Sequence, residues 1–153
     1  MKDRFREALS RWASGVTVLT SRDAHEVRGM TASAFSSVSL EPPLVLVCVD
    51  ERANILPVIE RSKRFVVNLL AAQQAHVSDH FAGKSDPALL ERPPFPEAGD
   101  PVLEGALASL VCTVWALYPG GDHRIVVGEV KEIVLGDERP PLVYWKRAYR
   151  RVT

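Results

Sequence analysis

Apolar residues first recur along this chain at helical spacing and then at strand spacing. Phe5, Ala8, Leu9 and Trp12 fall on one stripe, which predicts a short amphipathic helix over residues 2–13 that stops near Gly15. From there the period shortens. Residues 16–20 are rich in β-branched side chains, the polar segment 21–26 turns the chain, and residues 27–35 return it, which predicts a hairpin. Residues 29–43 then carry hydroxyls at alternate positions. On a strand, Thr31, Ser33, Ser37 and Ser39 project with Phe35 to one side, while Met30, Ala32, Ala34, Val38 and Leu40 project largely to the other. Such a face either holds phosphate oxygens and ring carbonyls, since each hydroxyl donates and accepts, or is the solvated side of an antiparallel strand. Pro42 and Pro43 end the run, and the almost wholly apolar residues 44–50 predict a central strand covered on both faces.

The rest of the chain is strand and turn with two helical interruptions. Residues 54–62 predict a helical turn with Asn54 as N-cap and Pro57 in the first turn. Residues 65–70 form a strand, residues 73–82 a helix closed by Gly83, and residues 84–101, with five prolines, a long surface excursion. Strands follow at 106–117, 123–135, 142–145 and 149–152, the first two joined through a Pro-Gly-Gly-Asp tip at 119–122. Seven or eight strands against two or three short helices favour an antiparallel barrel over βαβ units.

A length of 153 residues fits one domain, 1–153, and 46% hydrophobic with 25% charged residues suits a soluble globular chain. Nineteen basic residues balance nineteen acidic ones, so no global field draws the protein to nucleic acid or to an anionic membrane. The one basic run, Lys146, Arg147, Arg150 and Arg151 beside Tyr144, Trp145 and Tyr149, reads as a solvated strand edge or a base-stacking strip. Cys48 and Cys112 lie inside apolar runs and read as reduced, buried thiols. Without a long apolar stretch or a signal-like N-terminus, the expected location is the cytoplasm.

The chemistry is narrowed by what the motifs omit. No Gly-x-Gly-x-x-Gly or Walker loop is present, which excludes Rossmann and P-loop nucleotide binding, and no Gly-x-Ser-x-Gly supports hydrolysis. His76 and His80 stand four apart on a predicted helix but lack further ligands, so no metal site is expected. Hydride transfer between a nicotinamide and a flavin fits the inventory, because the cofactors carry the chemistry and the protein supplies position and field. Lys84 offers a cation for phosphate. His123, at a glycine-rich tip, either touches the second nucleotide or is a solvated turn residue. A flavin-binding relay without turnover and a single-strand-binding barrel are the competing classes; the zero net charge disfavours the latter.

Several ordered motifs resemble one family. Phe5 and Ala13-Ser-Gly-Val-Thr-Val18 are followed by Gly29-Met-Thr-Ala-Ser33, then Ser37 through Asp50, Phe65-Val-Val-Asn-Leu69 and Phe81-Ala-Gly83. Gly121-Asp-His123, Gly128-Glu-Val130, Pro141-Leu-Val-Tyr144 and Tyr149-Arg150 complete the set over nearly the whole chain. Together they resemble the flavin reductase domain of two-component flavin-dependent monooxygenases, especially the reductases of 4-hydroxyphenylacetate hydroxylation. The resemblance implies a split β-barrel of Greek-key, FMN-binding type. It implies a homodimer that uses NADH or NADPH to reduce FMN, FAD or riboflavin and releases the reduced flavin to a separate oxygenase. It also implies that Thr31, Ala32, Ser33 and Ala34, with Ser37, Val38 and Ser39, bind the flavin, and that Cys48, Val49, Asp50 and Asn54 line its ring or tail. Phe81, Ala82, Gly83 and Lys84 would close that site, His123 would meet the nicotinamide nucleotide, and Tyr144 and Tyr149 would stand near the same pocket. No side chain need act as acid or base. The chain departs from the family pattern after the central strand, where Glu51-Arg-Ala-Asn-Ile55 offers the charge of Arg52 in place of hydroxyls.

Overall fold

The computed structural model describes residues 1–152; Thr153, the last residue of the expected domain, lies outside the described residues. It contains four α-helices, α1 (Lys2–Ser10), α2 (Ile55–Ser62), α3 (Ala75–Phe81) and α4 (Pro87–Glu91). Ten strands accompany them: β1 (Ser14–Gly15), β2 (Thr17–Arg22), β3 (Val27–Ala32), β4 (Phe35–Ser39), β5 (Leu44–Asp50), β6 (Arg64–Leu69), β7 (Ala108–Gly120), β8 (His123–Leu135), β9 (Val143–Trp145) and β10 (Ala148–Arg150). Seven strands make one antiparallel sheet in the order β3-β2-β6-β7-β8-β5-β4.

The two edges of that sheet, β3 and β4, are consecutive in the chain and separated only by Ser33 and Ala34. A sheet whose opposite edges are two residues apart has to curl round until they meet, which gives a barrel split along one seam. The chain passes from one edge to the other through a tight turn in which Phe35 N–H donates to the Ser33 carbonyl at 2.9 Å, and Cys48 N–H, donating to the Ala34 carbonyl at 3.0 Å, extends the β4–β5 ladder into that turn. The hydroxyl run is therefore not one strand face. The chain exchanges β2 for β5 as partner in the middle of the run, and the alternation is interrupted there.

Leu19, Val47, Val67, Phe65 and Val126 fill the lumen, and α2 plugs it with Ile55, Leu56 and Ile59. Gly128 on β8 is required by this packing, because a Cβ there would collide with the Phe65 ring and crowd Cys112. Pro57 sits in the first turn of α2 as expected. Asn54 makes no capping bond, because its backbone is already helical at φ −64°, ψ −22°, whereas a capping side chain needs an extended backbone to reach back.

A second apolar layer lies outside the barrel. Val16, Val18, Leu70, Val77, Leu103 and Leu142 pack with Phe81, Leu89, Phe95 and Tyr149 under α3 and the proline-rich excursion. The helix expected over 73–82 is a 3₁₀ turn followed by α3, and Gly83 ends it at φ +101°. The excursion itself contains α4, whose N-terminus Asp86 caps through Ala88 N–H at 3.0 Å.

Neither α2 nor α3 covers the outer face of β5. Val45, Val47 and Val49 point inward, whereas Leu44, Leu46, Cys48 and Asp50 are half-buried on the other side, so the strand expected to be covered on both faces is covered on one. Cys48 is accordingly partly exposed, and only Cys112 is the buried thiol that was expected. Both are free.

A small sheet, β1-β9-β10, stands beside the seam. The two-residue turn between β9 and β10 holds α1 from outside: Lys146 N–H donates to the Ser10 carbonyl at 2.8 Å, and Trp145 Nε1–H to the Arg11 carbonyl at 3.0 Å. Those bonds engage the end of α1, which stops at Ser10 rather than at residue 13. No residue of α1 is buried.

Candidate functional site

The seam opens into cavities that meet at one residue. The largest, about 600 Å3, lies between Leu9 and Trp12 of α1, the turn Ser33-Ala34-Phe35, and Leu46 and Cys48 on the outer face of β5. A second, about 310 Å3, is bounded by Thr31, Ser78, Asp79, Ala82, Lys84 and Tyr149. A third, about 440 Å3, runs behind β1 towards Leu70 and Leu142. Ser33 lines all three, and Tyr144 and Arg147 form the wall shared by the first two. Ser33 is exposed, and its hydroxyl makes no bond among the described residues, so its full donor and acceptor capacity faces the openings.

The polar groups of the smaller cavity hold one another. Thr31 Oγ1–H donates to the Ser78 carbonyl at 2.6 Å, joining β3 to the last turn of α3. Tyr149 Oη lies 2.6 Å from Asp79 Oδ1 and 2.7 Å from Ser78 Oγ; with one proton, the phenol donates to the carboxylate and accepts from the serine. Burial, and then the Asp79 carboxylate, push the Tyr149 pKa above its ordinary value, so the phenol stays protonated and serves as a clamp. Tyr144 meets Tyr149 edge-on at 5.7 Å between ring centres.

A separate charged cluster sits at the tip of β7 and β8. His123 pairs in register with Asp50, and its Nδ1 lies 2.8 Å from Asp122 Oδ1. Arg52 grips Asp50 with Nε at 3.2 Å, a terminal guanidinium nitrogen at 3.1 Å and its own backbone N–H at 2.8 Å. That grip lowers the Asp50 pKa to about 2.

The cavities gather Thr31, Ser33, Ala34, Cys48, Ala82, Lys84, Tyr144 and Tyr149 from the residues named in the sequence. The others are placed elsewhere. Ala32 and Val49 are buried in the lumen, and Ser37, Val38 and Ser39 run along the edge strand β4. Phe81 packs over Gly29, where a Cβ would meet its ring at 2.5 Å, and Gly83 turns the chain between Ala82 and Lys84. Asp50, Asn54 and His123 line neither of the cavities at the seam. Asp50 and His123 nevertheless share the outer face with Cys48, one pleat or about 7 Å further along.

Trp12, Ser78, Asp79 and Arg147 were not anticipated. The Tyr149 to Asp79 contact joins residues seventy positions apart and has no local signature, and Arg147 reads in sequence only as part of a basic run, a solvated edge or a base-stacking strip. Of His76 and His80, the second has a structural role: His80 Nδ1 accepts the Asp86 N–H at 2.9 Å. Among the described residues no three His, Cys, Asp or Glu side chains converge as metal ligands. A hydroxyl-edged, mostly apolar cleft beside a smaller polar chamber with two cations suits a flat ring carrying an anionic tail.

Known proteins resemble this chain over nearly its whole length. The chain is 55% identical over 152 residues to the 4-hydroxyphenylacetate 3-monooxygenase reductase component of Thermus thermophilus, covering 99% of this chain and 97% of that one. It is 44% identical over 149 residues to an NADH-dependent flavin reductase of a Rhodococcus species, covering 95% of this chain and 83% of that one. The solved structure of the flavin reductase PheA2 superposes with a TM-score of 0.89 at 42% identity, covering 100% of this chain and 99% of the other. The model of the flavin reductase like domain matches residues 9–153, and this chain belongs to that family.

Proposed function

We propose that this chain is an NAD(P)H:flavin oxidoreductase, one domain in extent, that reduces FMN or FAD with NADH and passes the reduced flavin to a separate oxygenase acting on an aromatic substrate of the 4-hydroxyphenylacetate type. The observation that carries this reading is the exposed Ser33 hydroxyl at the meeting point of three cavities, beside a 600 Å3 cleft open enough for a three-ring system. The flavin supplies the hydride-accepting chemistry when bound. The chain's residues supply position: Ser33 and the main chain around Ala34 offer hydrogen bonds to ring heteroatoms, and Cys48 with Leu46 gives an apolar floor. Trp12 and Leu9 shield the cleft from water on the α1 side.

Thr31, Ser33 and Ala34 lie at the flavin, with Ser37, Val38 and Ser39 on the strand that follows; Ala32 and Val49, whose side chains fill the lumen, reach it only through their main chain, and Asp50 and Asn54 stand beyond the floor that Cys48 and Leu46 form. Phe81 to Lys84 border the tail, and Tyr144 and Tyr149 form the wall. His123, on the same outer face as Cys48, is placed to touch a nicotinamide laid over that floor. The protein works as a homodimer in the cytoplasm. Phe5, Leu9 and Trp12, exposed by 59%, 56% and 77%, give α1 an apolar face suited to a second copy. Among the described residues no helix is long and apolar enough to cross a membrane.

Mixing the protein anaerobically with NADH and FMN tests the reading: the visible flavin absorbance should bleach at a rate that saturates in both. Flavin binding without bleaching would instead identify an electron relay or sensor.

A further inference from the structure

The cations near the seam are not equivalent. Arg52, which the sequence offers as a phosphate ligand, has its guanidinium spent on Asp50 in a two-pronged pair. Arg147 is differently placed. Its side chain lines both the larger and the smaller cavity and, among the described residues, makes no hydrogen bond and has only Glu7 Oε2 as counter-charge at 3.6 Å, on an exposed helix. Lys84 lines the smaller cavity, and among the described residues no carboxylate pairs with its ammonium. Asp79, the carboxylate of that chamber, is occupied by the Tyr149 phenol.

The main chain beneath Arg147 points the same way. Lys146 and Arg147 occupy the left-handed region at φ 50° and 60°, in a two-residue hairpin turn that Asn and Gly fill most easily. The bonds from Lys146 N–H and Trp145 Nε1–H to α1 hold the turn in place. The Lys146 ammonium lies over the Trp145 ring at 5.2 Å and outside both cavities, so the turn, fixed at its base, presents the Arg147 guanidinium alone to them. The guanidinium fork matches a phosphate with two parallel bonds, and an ammonium adds a point charge.

We infer that Arg147 and Lys84 clamp the phosphate of the bound nucleotide in the smaller cavity, so that preference for a phosphorylated ligand is set there and not by Arg52. The inference rests on the larger cavity taking the flavin ring, whose tail then passes Ser33 and Tyr144 into the chamber. The same clamp would serve a phosphate of the nicotinamide nucleotide, and the experiment separates the two sources.

Dissociation constants for FMN and for riboflavin, which lacks the phosphate, are measured by flavin fluorescence for the wild type, Arg147→Gln, Arg147→Lys, Lys84→Gln and Arg52→Gln. The KM for NADH is measured with riboflavin as acceptor. Loss of a charged, two-pronged contact should weaken FMN binding about ten- to thirtyfold in Arg147→Gln and less in Arg147→Lys, with riboflavin within about twofold throughout. Lys84→Gln should shift the same ratio in the same direction, and Arg52→Gln should leave it where it was. A raised KM for NADH with an unchanged FMN to riboflavin ratio supports the clamp and assigns the phosphate to the nicotinamide nucleotide. Equal loss of both flavins, or no change in either ratio or KM, overturns the clamp. If Arg147→Gln does not fold, Arg147→Lys and Lys84→Gln carry the same readouts. A wild type that binds neither flavin overturns the ring site and the clamp together, an outcome distinct from failure of the clamp alone.

Discussion

Replacing Thr31 by valine and Ser33 by alanine removes one hydroxyl each from the same short stretch, yet the structure assigns the two losses to different quantities. The Thr31 proton is committed to the Ser78 carbonyl at 2.6 Å. Ser78 is in the last turn of α3, where carbonyls have no partner within the helix, and the residue is only 1% exposed. Valine leaves that acceptor orphaned, at a cost of about 1–3 kcal/mol. For a domain of this size each kcal/mol lowers Tm by about 2–4 °C, so a fall of roughly 2–12 °C is expected. The Ser33 hydroxyl bonds to nothing among the described residues, so alanine should leave Tm unchanged. Its loss should appear in flavin affinity, where a hydrogen bond worth about 0.5–1.5 kcal/mol corresponds to roughly two- to twelvefold in Kd. Thermal unfolding without ligand and flavin fluorescence titration read the two quantities separately. An unchanged Tm in Thr31→Val, or a Ser33→Ala variant that loses stability while keeping wild-type flavin affinity, would refute this division.

Burial pushes the Cys112 thiol up to about 12 while Cys48 lines the open cleft; iodoacetamide should therefore modify Cys48 and spare Cys112 in the native protein, and FMN should slow the Cys48 reaction. Asp50 should titrate near 2 rather than 3.8, and Arg52→Gln should return it towards the ordinary value by NMR. Because the folded pKa is the lower one, the stabilisation from that pair is complete above about pH 4 and is lost as pH falls towards 2. Gly128→Ala would drive a methyl into Phe65 and should lower stability by about 1–3 kcal/mol in denaturant titration. Lys146→Gly relieves one left-handed residue and should raise stability by about 1 kcal/mol, or some 2–4 °C in Tm.

Much of the barrel was legible because its strands are bounded by local signals. The Pro-Gly-Gly-Asp tip falls where β7 turns into β8, and Gly83 ends α3 as its position suggested. The seam was not legible. Residues 29–39 keep a regular alternation through Ser33 and Ala34, and nothing local records that β3 pairs with β2 while β4 pairs with β5. Exposure of β5 was missed for a related reason: an apolar strand looks the same whether its second face meets a helix, a ligand or a partner chain. The candidate site shares this limit. The hydroxyls of Thr31 and Ser33 stood out by composition, but the Tyr149, Asp79 and Thr31 network and the place of Arg147 between two cavities arise only once distant segments are brought together.

The central claim is that a flavin held at Ser33 takes hydride from NADH. Anaerobic stopped-flow mixing of wild-type protein and the Ser33→Ala variant with NADH across a range of FMN concentrations tests it most directly. Bleaching that saturates in both substrates, with the half-saturating FMN concentration raised about two- to twelvefold in the variant, is the predicted result. Flavin absorbance that persists in the presence of excess NADH, or saturation curves identical for the two proteins, would contradict it.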